Sequence, residues 1–591
     1  MSTLPIYPFD ADRAIGTVIE IAGNTVKVNL PQAAAPGSRW HHGHQLEAGR
    51  VGEFVVVESG HAAVFGRITA VRLPERERLS VEEDLGGRPD VHPIGIVSLV
   101  ASVDLASGKI EPGVPHHPRL GARCFSAHPL LIKWLAESTR FADTEGGAKL
   151  LTLATLPFSS ETLIRVAPES LFGRHCAVLG TTGGGKSWTL ARLIEEAGRH
   201  KSKILLIDPT GEFHTLNGPH IQHIHVNSDS AAEQRGSFEV VLPYKRLLEG
   251  DLFALFQPAP QSQAPKLRAA IKSLKTLHYA RLVSGNPAKY ASHEQAARAL
   301  LTQVGEGRNI PKPESTRAPY ENASRAFAEL IDKPASEFEI AALAEQIQLE
   351  CCWPSGQGAS QNRYGGVHQG DLGYCINLVS RVEQIVSSSE FACLFRPGDK
   401  KDILMDVLLP FLANDSLSVL VLSLKELSFS NNIREIFVNS IGRQLLLFGR
   451  KNKLVSQPLI VFLDEAHQFI GKSLGEEGSK LKLDSFELIA KEGRKFGLTL
   501  CLATQRPRDI GQGILSQMGA YLVHRLTNPE DREIVERAAG DLDRSAAAFV
   551  PTLAAGQAIL IGTDFPIPVT LQIIPPSTPP KSSGPRYQEF W

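Results

Sequence analysis

The sequence predicts an α/β protein in which a small β-barrel precedes a mainly parallel sheet, and in which helices interrupt that sheet. Apolar runs that end in acidic residues, such as 204–208 and 458–465, are typical of buried parallel strands. Short β-rich runs separated by Gly, Asn, Pro and Ser fill the N-terminal part. Apolar residues with helical spacing dominate residues 261–395. Together these patterns give the order barrel, sheet, helices, sheet.

A glycine-rich loop joins a predicted strand at 177–179 to a predicted helix at 188–197. It has the Gly-x4-Gly-Lys-Ser pattern of a phosphate-binding P-loop, in which backbone N–H groups and a helix N-terminus surround the phosphates of ATP. The candidate nucleotide-binding residues are Gly180, Gly183, Gly184, Gly185, Lys186 and Ser187. Lys186 is expected on the β- and γ-phosphates, and Ser187 is expected to hold Mg²⁺.

A second apolar run, 458–463, ends in two acids, Asp464 and Glu465. The carboxyl ends of parallel strands lie at the ligand edge of the sheet. We expect Asp464 to bind Mg²⁺ and Glu465 to orient and deprotonate the attacking water. His467 follows closely, and for it a packing or hydrogen-bonding role is favoured over catalysis.

Two further polar residues flank a third apolar run at 498–504. Gln505 follows this run and could hydrogen-bond the lytic water or the γ-phosphate, the alternative being a cap on the strand end. Arg494 precedes the run and is a candidate arginine finger for a neighbouring subunit's nucleotide. The alternative for Arg494 is an ordinary solvated side chain.

The run at 204–207 follows the P-loop helix directly, so a right-handed crossover would place it in the same parallel sheet. Asp208 and Glu212 lie at its exit and could face the γ-phosphate as part of the nucleotide site. The alternative is that they order a tight Asp-Pro-Thr-Gly turn.

Together these motifs resemble those of the HerA branch of the HerA/FtsK ATPases. The five shared segments are at 180–187, 208–213, 464–467, 492–497 and 503–507. The resemblance implies a RecA-like P-loop NTPase core and a homo-hexameric ring that couples ATP hydrolysis to movement of DNA through its pore. Thr210 departs from the pattern, since many relatives have His there. The resemblance is strong over the ATPase core and does not extend residue by residue to 260–395.

The resemblance and the patterns together divide the chain into five parts. These are a β-barrel at 1–130, the first part of the ATPase core at 131–260, a helical insertion at 261–395, the second part of the core at 396–572, and a Pro-rich tail at 573–591. An unrelated β-domain is the alternative for the first part. The tail should be extended, and a neighbouring subunit is one surface on which it could lie.

Bulk properties are those of an ordinary globular protein, with 42% hydrophobic and 21% charged residues. The net charge of −1 gives no overall attraction to nucleic acid, although a ring needs basic residues only in its pore. The sequence shows neither a membrane-spanning run nor a signal peptide, so a cytoplasmic location is expected. The seven scattered cysteines are expected to be reduced thiols, neither a disulfide framework nor a zinc site.

Two functions remain open at this point. The first is a ring motor that translocates double-stranded DNA with a partner nuclease or an NAD-consuming effector, in DNA repair or in anti-phage defence. The second is an ATP-gated hexameric scaffold that assembles and regulates an effector without processive translocation. ATPase activity that DNA stimulates would favour the motor, whereas activity that only a partner changes would favour the scaffold.

A loop at 471–482 is the candidate DNA contact. Its lysines Lys472, Lys480 and Lys482 could grip phosphates without reading bases. The alternative is a solvated surface, because Glu476 and Glu477 lie in the same loop.

Overall fold

The structure is a computed structural model of the 591-residue chain. It describes residues 4–34, 39–46, 49–73, 92–137, 149–286, 288–474, 481–540, 544–581 and 587–590. Two large sheets of seven and thirteen strands organise these residues, and two small hairpins stand apart from both. The smaller sheet belongs to the N-terminal part, and the larger one carries the predicted nucleotide-binding motifs.

The N-terminal sheet closes into a barrel. The strands of this part are β1 (Ala14–Ala22), β2 (Thr25–Asn29), β3 (Arg39–His41), β4 (His44–Leu46), β5 (Phe54–Ser59), β6 (Ala62–Arg72), β7 (Ile94–Asp104), β8 (Ile110–Pro112) and β9 (Arg123–Ser126). The sheet order is β2-β1-β9-β5-β6-β7-β8, and β2 also pairs antiparallel with β7. That extra pairing closes a ring of six strands, which confirms the predicted small barrel.

Alternating apolar residues fill the barrel. Along β2, Val26 and Val28 are buried while their neighbours are partly exposed, the pattern of a strand with one face inward. They pack with valines of β5 and β6 in one apolar cluster. Gly16 allows β1 to approach β2 closely, because a Cβ there would lie 2.0 Å from the Asn29 carbonyl oxygen.

Residues 151–573 supply the thirteen-stranded sheet. The remaining strands are β10 (Leu151–Leu156), β11 (Ser159–Val166), β12 (His175–Leu179), β13 (Lys203–Asp208), β14 (Ile221–Val226), β15 (Phe238–Val241), β16 (Lys401–Asp402), β17 (Val419–Ser423), β18 (Leu459–Leu463), β19 (Ser473–Leu474), β20 (Leu481–Lys482), β21 (Leu498–Thr504), β22 (Met518–Val523), β23 (Gln557–Gly562) and β24 (Val569–Ile573). The order in the sheet is β11-β10-β24-β23-β22-β12-β21-β18-β13-β17-β14-β15-β16, and β19 pairs only with β20.

The nine strands from β22 to β16 are parallel, and the four at the other end are antiparallel. In the centre, β21 lies between β12 and β18, and β13 lies beside β18. Leu179 is in register with Thr504, and Leu463 is in register with Leu502 and Ile207. The polar residues that follow these four strands therefore meet at one edge, as parallel pairing requires.

Helices cover both faces of this sheet. The helices are α1 (Pro129–Glu137), α2 (Pro168–Phe172), α3 (Lys186–Gly198), α4 (Ser230–Gln234), α5 (Glu249–Phe256), α6 (Gln263–Gly285), α7 (Glu294–Val304), α8 (Ala318–Ala326), α9 (Ala328–Ile331), α10 (Leu343–Leu349), α11 (Gln369–Ser387), α12 (Ala392–Phe395), α13 (Leu409–Ala413), α14 (Ile433–Arg450), α15 (Ser485–Glu492), α16 (Gln512–Leu515), α17 (Pro529–Ala539), α18 (Arg544–Ala547) and α19 (Tyr587–Phe590). Alternate residues of β13 belong to two different apolar clusters, with α3 on one face and α14 on the other.

Eight helices, α5 to α12, lie between β15 and β16. Part of this segment has an apolar cluster of its own, in which Leu277 of α6 packs with Leu300 of α7 and with Phe327. Other members join the main core, since Leu252 of α5 and Leu343 of α10 belong to the same cluster as the sheet residues. The helical segment is thus packed continuously with the sheet, and its role as a separate insertion remains a prediction.

The chain after β24 lies against its own core. The backbone N–H of Ser577 donates to a Glu195 carboxylate oxygen at 3.0 Å, and its hydroxyl donates to the other at 2.7 Å. The Thr215 hydroxyl donates to the Pro579 carbonyl oxygen at 2.8 Å, and the Lys581 N–H donates to the Glu212 carbonyl oxygen at 2.9 Å. The described part of the tail is therefore hydrogen-bonded to the core of its own chain.

Two further expectations concern cysteines and membranes. All seven cysteines lie in the described ranges, and each is a buried free thiol. Within the described part of the chain, no helix has both the length and the apolar character that crossing a bilayer requires.

Candidate functional site

A cavity of about 650 Å³ opens at the edge where β12, β13, β18 and β21 end. Its walls are the P-loop with the start of α3, and the side chains of Glu212, Glu465 and Gln505. Gly556 and Gln572, from the antiparallel end of the sheet, complete the far wall. The volume lies within the range of roughly 300–1,000 Å³ that small-molecule sites occupy.

The P-loop has a backbone that its glycines make possible. Gly183 and Gly185 have φ values of 77° and 107°, in the region that favours glycine. Gly180 lies against the ring of His524, and a Cβ at Gly180 would come within 2.5 Å of the Cβ of His524. α3 then begins at Lys186, so its free N–H groups face the cavity. This geometry suits a phosphate group.

Lys186 lies between the two acids that follow β18. Its Nζ donates to Asp464 Oδ1 at 2.7 Å and to Glu465 Oε1 at 2.9 Å. Burial favours loss of the lysine proton, but the two carboxylates outweigh burial and raise the pKa of Lys186 above its ordinary value. The lysine is therefore a fixed cation at the bottom of the cavity, as its predicted phosphate-binding role requires.

Glu465 has an unusual backbone and one unused oxygen. Its φ and ψ are 46° and 43°, a left-handed conformation that is uncommon for a non-glycine residue and that often marks a functional site. Oε2 is buried and has no hydrogen-bond partner within the described ranges. The Nδ1 atom of His467 lies 3.3 Å away from it. A carboxylate oxygen held in this way can accept a proton from water.

His467 lies between Glu465 and the end of β21. Its Nδ1 atom lies 3.2 Å from the Thr504 hydroxyl. Burial lowers the pKa of His467, and the neighbouring Glu465 only partly opposes this. A neutral ring between Glu465 and Thr504 fits the predicted packing and hydrogen-bonding role.

Oxygen donors for Mg²⁺ meet beside the lysine. The Ser187 hydroxyl bonds to the Glu212 carboxylate. Burial, followed by the charge of nearby Asp464, raises the pKa of Glu212. Hydroxyl and carboxylate oxygens are what Mg²⁺ prefers, so the residues present fit this ion. Ser187 and Asp464 would hold Mg²⁺, with Glu212 next to it, and the bound ion would neutralise phosphate charge.

Asp208 does not face the cavity, and its proposed contact with nucleotide needs correction. Its Oδ1 accepts from the N–H groups of Thr210 and Gly211 at 3.2 and 2.8 Å, and its Oδ2 accepts from Phe213 N–H at 2.9 Å. The side chain is fully buried, and burial raises its pKa to about 6. The geometry therefore supports the alternative role, in which Asp208 orders the turn that presents Glu212.

Gln505 lies at the wall of the cavity, on the loop that follows β21. Its Oε1 accepts a hydrogen bond from the hydroxyl of Thr182 in the P-loop. The amide is thus tied to the loop that surrounds the phosphates. This position suits contact with the γ-phosphate or the lytic water, and it also matches a strand cap.

Arg494 is remote from the cavity of its own chain. It lies exposed in the short helical turn Gly493–Phe496, which precedes β21. That places it at the amino-terminal edge of the parallel strands, near His175 at the start of β12. The distance from its own site is compatible with a finger that serves a neighbour and with a solvated side chain.

His524 packs against the P-loop, and the sequence motifs did not predict it. The ring is fully buried; its Nε2 lies 2.8 Å from the Thr189 hydroxyl, and its Nδ1 lies 2.8 Å from the Gln557 carbonyl oxygen. Burial lowers its pKa to about 4. His524 follows the apolar run 518–523, so the rule that located Asp464 could have located it too.

Gly556 was also missed, and no local signal distinguishes it. Its N–H donates to the Gly184 carbonyl oxygen at 3.2 Å, which ties the P-loop to the start of β23. A Cβ on Gly185 would lie 3.1 Å from the Gly556 Cα. This contact depends on how β22 and β23 pack beside β12 and could not be read from the motif.

Comparison with known proteins agrees with these motifs. The family model described as helicase HerA, central domain, matches residues 152–343. A probable helicase of Methanocaldococcus jannaschii is 23% identical over 71% of this chain and 69% of its own length. The DNA double-strand break repair helicase HerA of Pyrococcus furiosus is 32% identical over 21% of this chain and 22% of its own length.

Among solved structures, a bacterial conjugative coupling protein, TrwB lacking its first 70 residues, covers 78% of this chain and 94% of its own. It is 14% identical, with a TM-score of 0.42. The matched segment contains the P-loop and the Asp208 turn, and Glu465 and Gln505 from later in the chain line the same cavity. The chain is therefore a P-loop enzyme that hydrolyses ATP, and it is similar to the HerA helicases over the matched domain.

Proposed function

We propose that this chain is one subunit of a homo-hexameric ring that hydrolyses ATP to translocate double-stranded DNA. The charge of the cavity is the observation that supports a ring of several subunits. Among the described residues that line it, Lys186 is the one cation, and Lys186 already pairs with two acids. Charge that develops on the transferred phosphoryl group needs further neutralisation, and Arg494 of a neighbouring subunit is the proposed source.

In this proposal each subunit divides the chemistry among its own residues. Lys186 and the P-loop N–H groups bind the phosphates, while Ser187 and Asp464 hold Mg²⁺. Glu465 takes the proton of the attacking water through its free oxygen. Gln505 contacts the γ-phosphate or the attacking water. Its hydrogen bond from Thr182 couples release of the γ-phosphate to the P-loop.

The proposal that DNA is the substrate rests on the relatives. Two of them are named as a probable helicase and as a DNA double-strand break repair helicase. The proposal further includes a partner nuclease or NAD-consuming effector, in DNA repair or in anti-phage defence, and a cytoplasmic location. These parts rest on the resemblance of the motifs to the HerA branch.

The proposal is tested with the full chain and linear duplex DNA. Light scattering should give the mass of six subunits, duplex DNA should stimulate phosphate release, and the ring should displace a triplex-forming strand in an ATP-dependent way. Glu465→Gln is the matched control, because it should retain DNA binding and lose displacement. A monomer at micromolar concentration would remove the ring. ATPase activity that is indifferent to DNA but responds to a partner would replace the motor with the scaffold.

A further inference from the structure

A cluster of histidines lies away from the ATPase site, where the N-terminal segment, the β3–β4 hairpin and the start of α1 meet. The rings of His41 and His42 are perpendicular, with centroids 4.3 Å apart. The ring of His128 lies 5.6 Å from that of His41 and 4.8 Å from that of His44. Asp10 adds a carboxylate to the same cluster. Neutral imidazole and carboxylate are the ligands that zinc and similar divalent cations select.

Asp10 is held in place for this role. Its Oδ1 accepts the N–H of Asp12 at 3.0 Å and so caps the short helical turn Ala11–Arg13. Its Oδ2 is left to meet His41 Nε2 at 3.0 Å. The N–H of Asp12, ahead of the charge and hydrogen bond of His41, lowers the pKa of Asp10, so the carboxylate is ionised at neutral pH. A carboxylate oxygen and a ring nitrogen at this separation can bind the same ion.

The hairpin places His41 and His42 beside Asp10. His41 and His44 are directly paired across β3 and β4, and the turn between them is His42-Gly43. Both turn residues have positive φ, 47° and 81°, as a tight two-residue turn requires. The backbone therefore fixes the direction of the His42 side chain, which is exposed and gives the cluster an open side toward water.

Two buried nitrogens in the cluster are unused. His41 Nδ1 and His128 Nε2 have no hydrogen-bond partner in the part of the chain that the structure describes. An unpaired buried polar atom destabilises a fold, so two in adjacent rings need a reason. Burial, then the neighbouring His44, lowers the pKa of His128 to about 4, so this ring is neutral.

The nearby guanidinium group of Arg13 binds other partners. The Arg13 guanidinium donates to the Ser126 carbonyl oxygen at 2.9 Å and to the Tyr7 carbonyl oxygen. It therefore helps to hold the N-terminal segment without occupying the Asp10 oxygen that faces His41. Its charge opposes a second cation, which makes a full set of ligands necessary for binding.

We propose that Asp10, His41 and His42 bind one divalent transition-metal ion of the zinc class, with the fourth position open to water. One ligand atom from each of the first three residues lies within 4.8 Å of the others. Tetrahedral zinc with bonds of about 2.0–2.1 Å separates its ligands by roughly 3.4 Å. Rotation of the exposed His42 ring supplies most of the adjustment. The ion would fasten the hairpin to the N-terminal segment beside the barrel.

The test uses the full chain without nucleotide, in excess Mg²⁺ to occupy the acids at the ATPase site. Zn²⁺ titrated in a calorimeter should bind once per chain with micromolar or tighter affinity and raise the thermal unfolding temperature. Co²⁺ should give the visible absorption of a four-coordinate site. His42→Ala, which alters an exposed side chain, and Asp10→Asn should each weaken Zn²⁺ binding at least tenfold.

His61→Ala/His116→Ala is the matched control. These rings also touch, with centroids 4.8 Å apart, but lie outside the cluster. The control should bind Zn²⁺ as the unchanged chain does. Absence of Zn²⁺ binding by the unchanged chain, or unchanged affinity in both His42→Ala and Asp10→Asn, would overturn the proposal. ATP turnover should be the same in all four proteins, because none of these residues touches the nucleotide cavity.

Discussion

Lys186 Nζ lies 2.7 Å from Asp464 Oδ1, a bond that joins the P-loop directly to the acids after β18. Both side chains are at least nine-tenths buried, so the pair is shielded from water. In the proposed function, bound phosphates would pair with Lys186, and Asp464 would hold Mg²⁺. Nucleotide binding would then rearrange the contacts of Asp464 and Glu465 before any bond is broken.

The first prediction separates binding from turnover. Lys186→Ala should lower nucleotide affinity at least tenfold and destabilise the nucleotide-free protein by about 3–5 kcal/mol, because two buried acids lose their counter-ion. Glu465→Gln should keep nucleotide affinity and slow hydrolysis by roughly 10²-fold or more, since it removes only the base. Nucleotide titration, thermal unfolding and phosphate release measure the three effects. Glu306→Gln, at an exposed site, is the control. Near-normal hydrolysis by Glu465→Gln would show that the base lies elsewhere.

The second prediction concerns Arg494. Arg494→Ala should leave assembly intact and slow ATP hydrolysis by roughly 10²-fold or more, because it removes a cation from the neighbour's transition state. Lys495→Ala, the adjacent exposed cation, should have little effect. Rings mixed from Arg494→Ala and Glu465→Gln subunits should regain activity, since some interfaces then combine an intact Glu465 with an intact Arg494. Mixed rings with no recovered activity at any ratio would assign Arg494 to the solvated surface.

The third prediction uses the pKa of His524. That pKa is about 4 in the folded protein and near 6.5 when the chain is unfolded. The unfolded state therefore binds more protons between these values, and the free energy of unfolding falls as pH drops through this window, by up to about 3 kcal/mol. His524→Asn should unfold at a lower temperature at pH 7.5, and its unfolding temperature should depend less on pH between 7 and 5.

His117→Asn is the control for this experiment, because His117 is exposed and remote from the P-loop. It should reproduce the pH dependence of the unchanged chain. If His524→Asn also reproduced it, the buried ring would not be the group that titrates. Weaker ATP binding by His524→Asn at neutral pH is expected as well, because Gly180 and Gly185 lie close to this ring.

The parts of the site that the sequence predicted all follow buried parallel strands. Each of β12, β18 and β21 is an unbroken buried run, and parallel strands bring their ends together whatever the order between them. The P-loop, Asp464 and Gln505 could therefore be placed at one edge without knowledge of the strand order. Short β-rich runs separated by turn residues likewise predicted a small barrel, because short strands joined by tight turns are typical of one.

What the sequence left open depended on contacts between distant segments. Asp208 ends a buried strand as Asp464 does, yet the turn N–H groups of Gly211 and Phe213 occupy it, and only the folded turn distinguishes the two acids. Gly556 reaches the P-loop because β23 returns antiparallel beside β22. The histidine cluster joins residues 10, 41 and 128, which no local pattern connects.

The last prediction concerns the proposed DNA contact. Residues 475–480, with Glu476, Glu477 and Lys480, lie outside the described residues. Lys472 and Lys482 are described and exposed, where the chain enters and leaves the β19–β20 pair, and Lys482 Nζ lies 3.0 Å from a Glu487 oxygen. The hairpin follows the Asp464-Glu465 strand end within a few residues, so a change at the site could move it.

Replacing Lys472, Lys480 and Lys482 with Ala should weaken DNA binding and keep basal ATP hydrolysis. Each phosphate contact that is lost should also reduce the slope of log affinity against log salt by about one, because fewer counterions are released. The control replaces Lys201, Lys451 and Lys453, which are exposed before β13 and β18 at the opposite edge and carry the same total charge. Equal salt slopes for the two triple variants would place the DNA-binding surface elsewhere in the ring. A lower slope for the loop variant alone would assign the phosphate contact to the hairpin, since net charge changes identically in both.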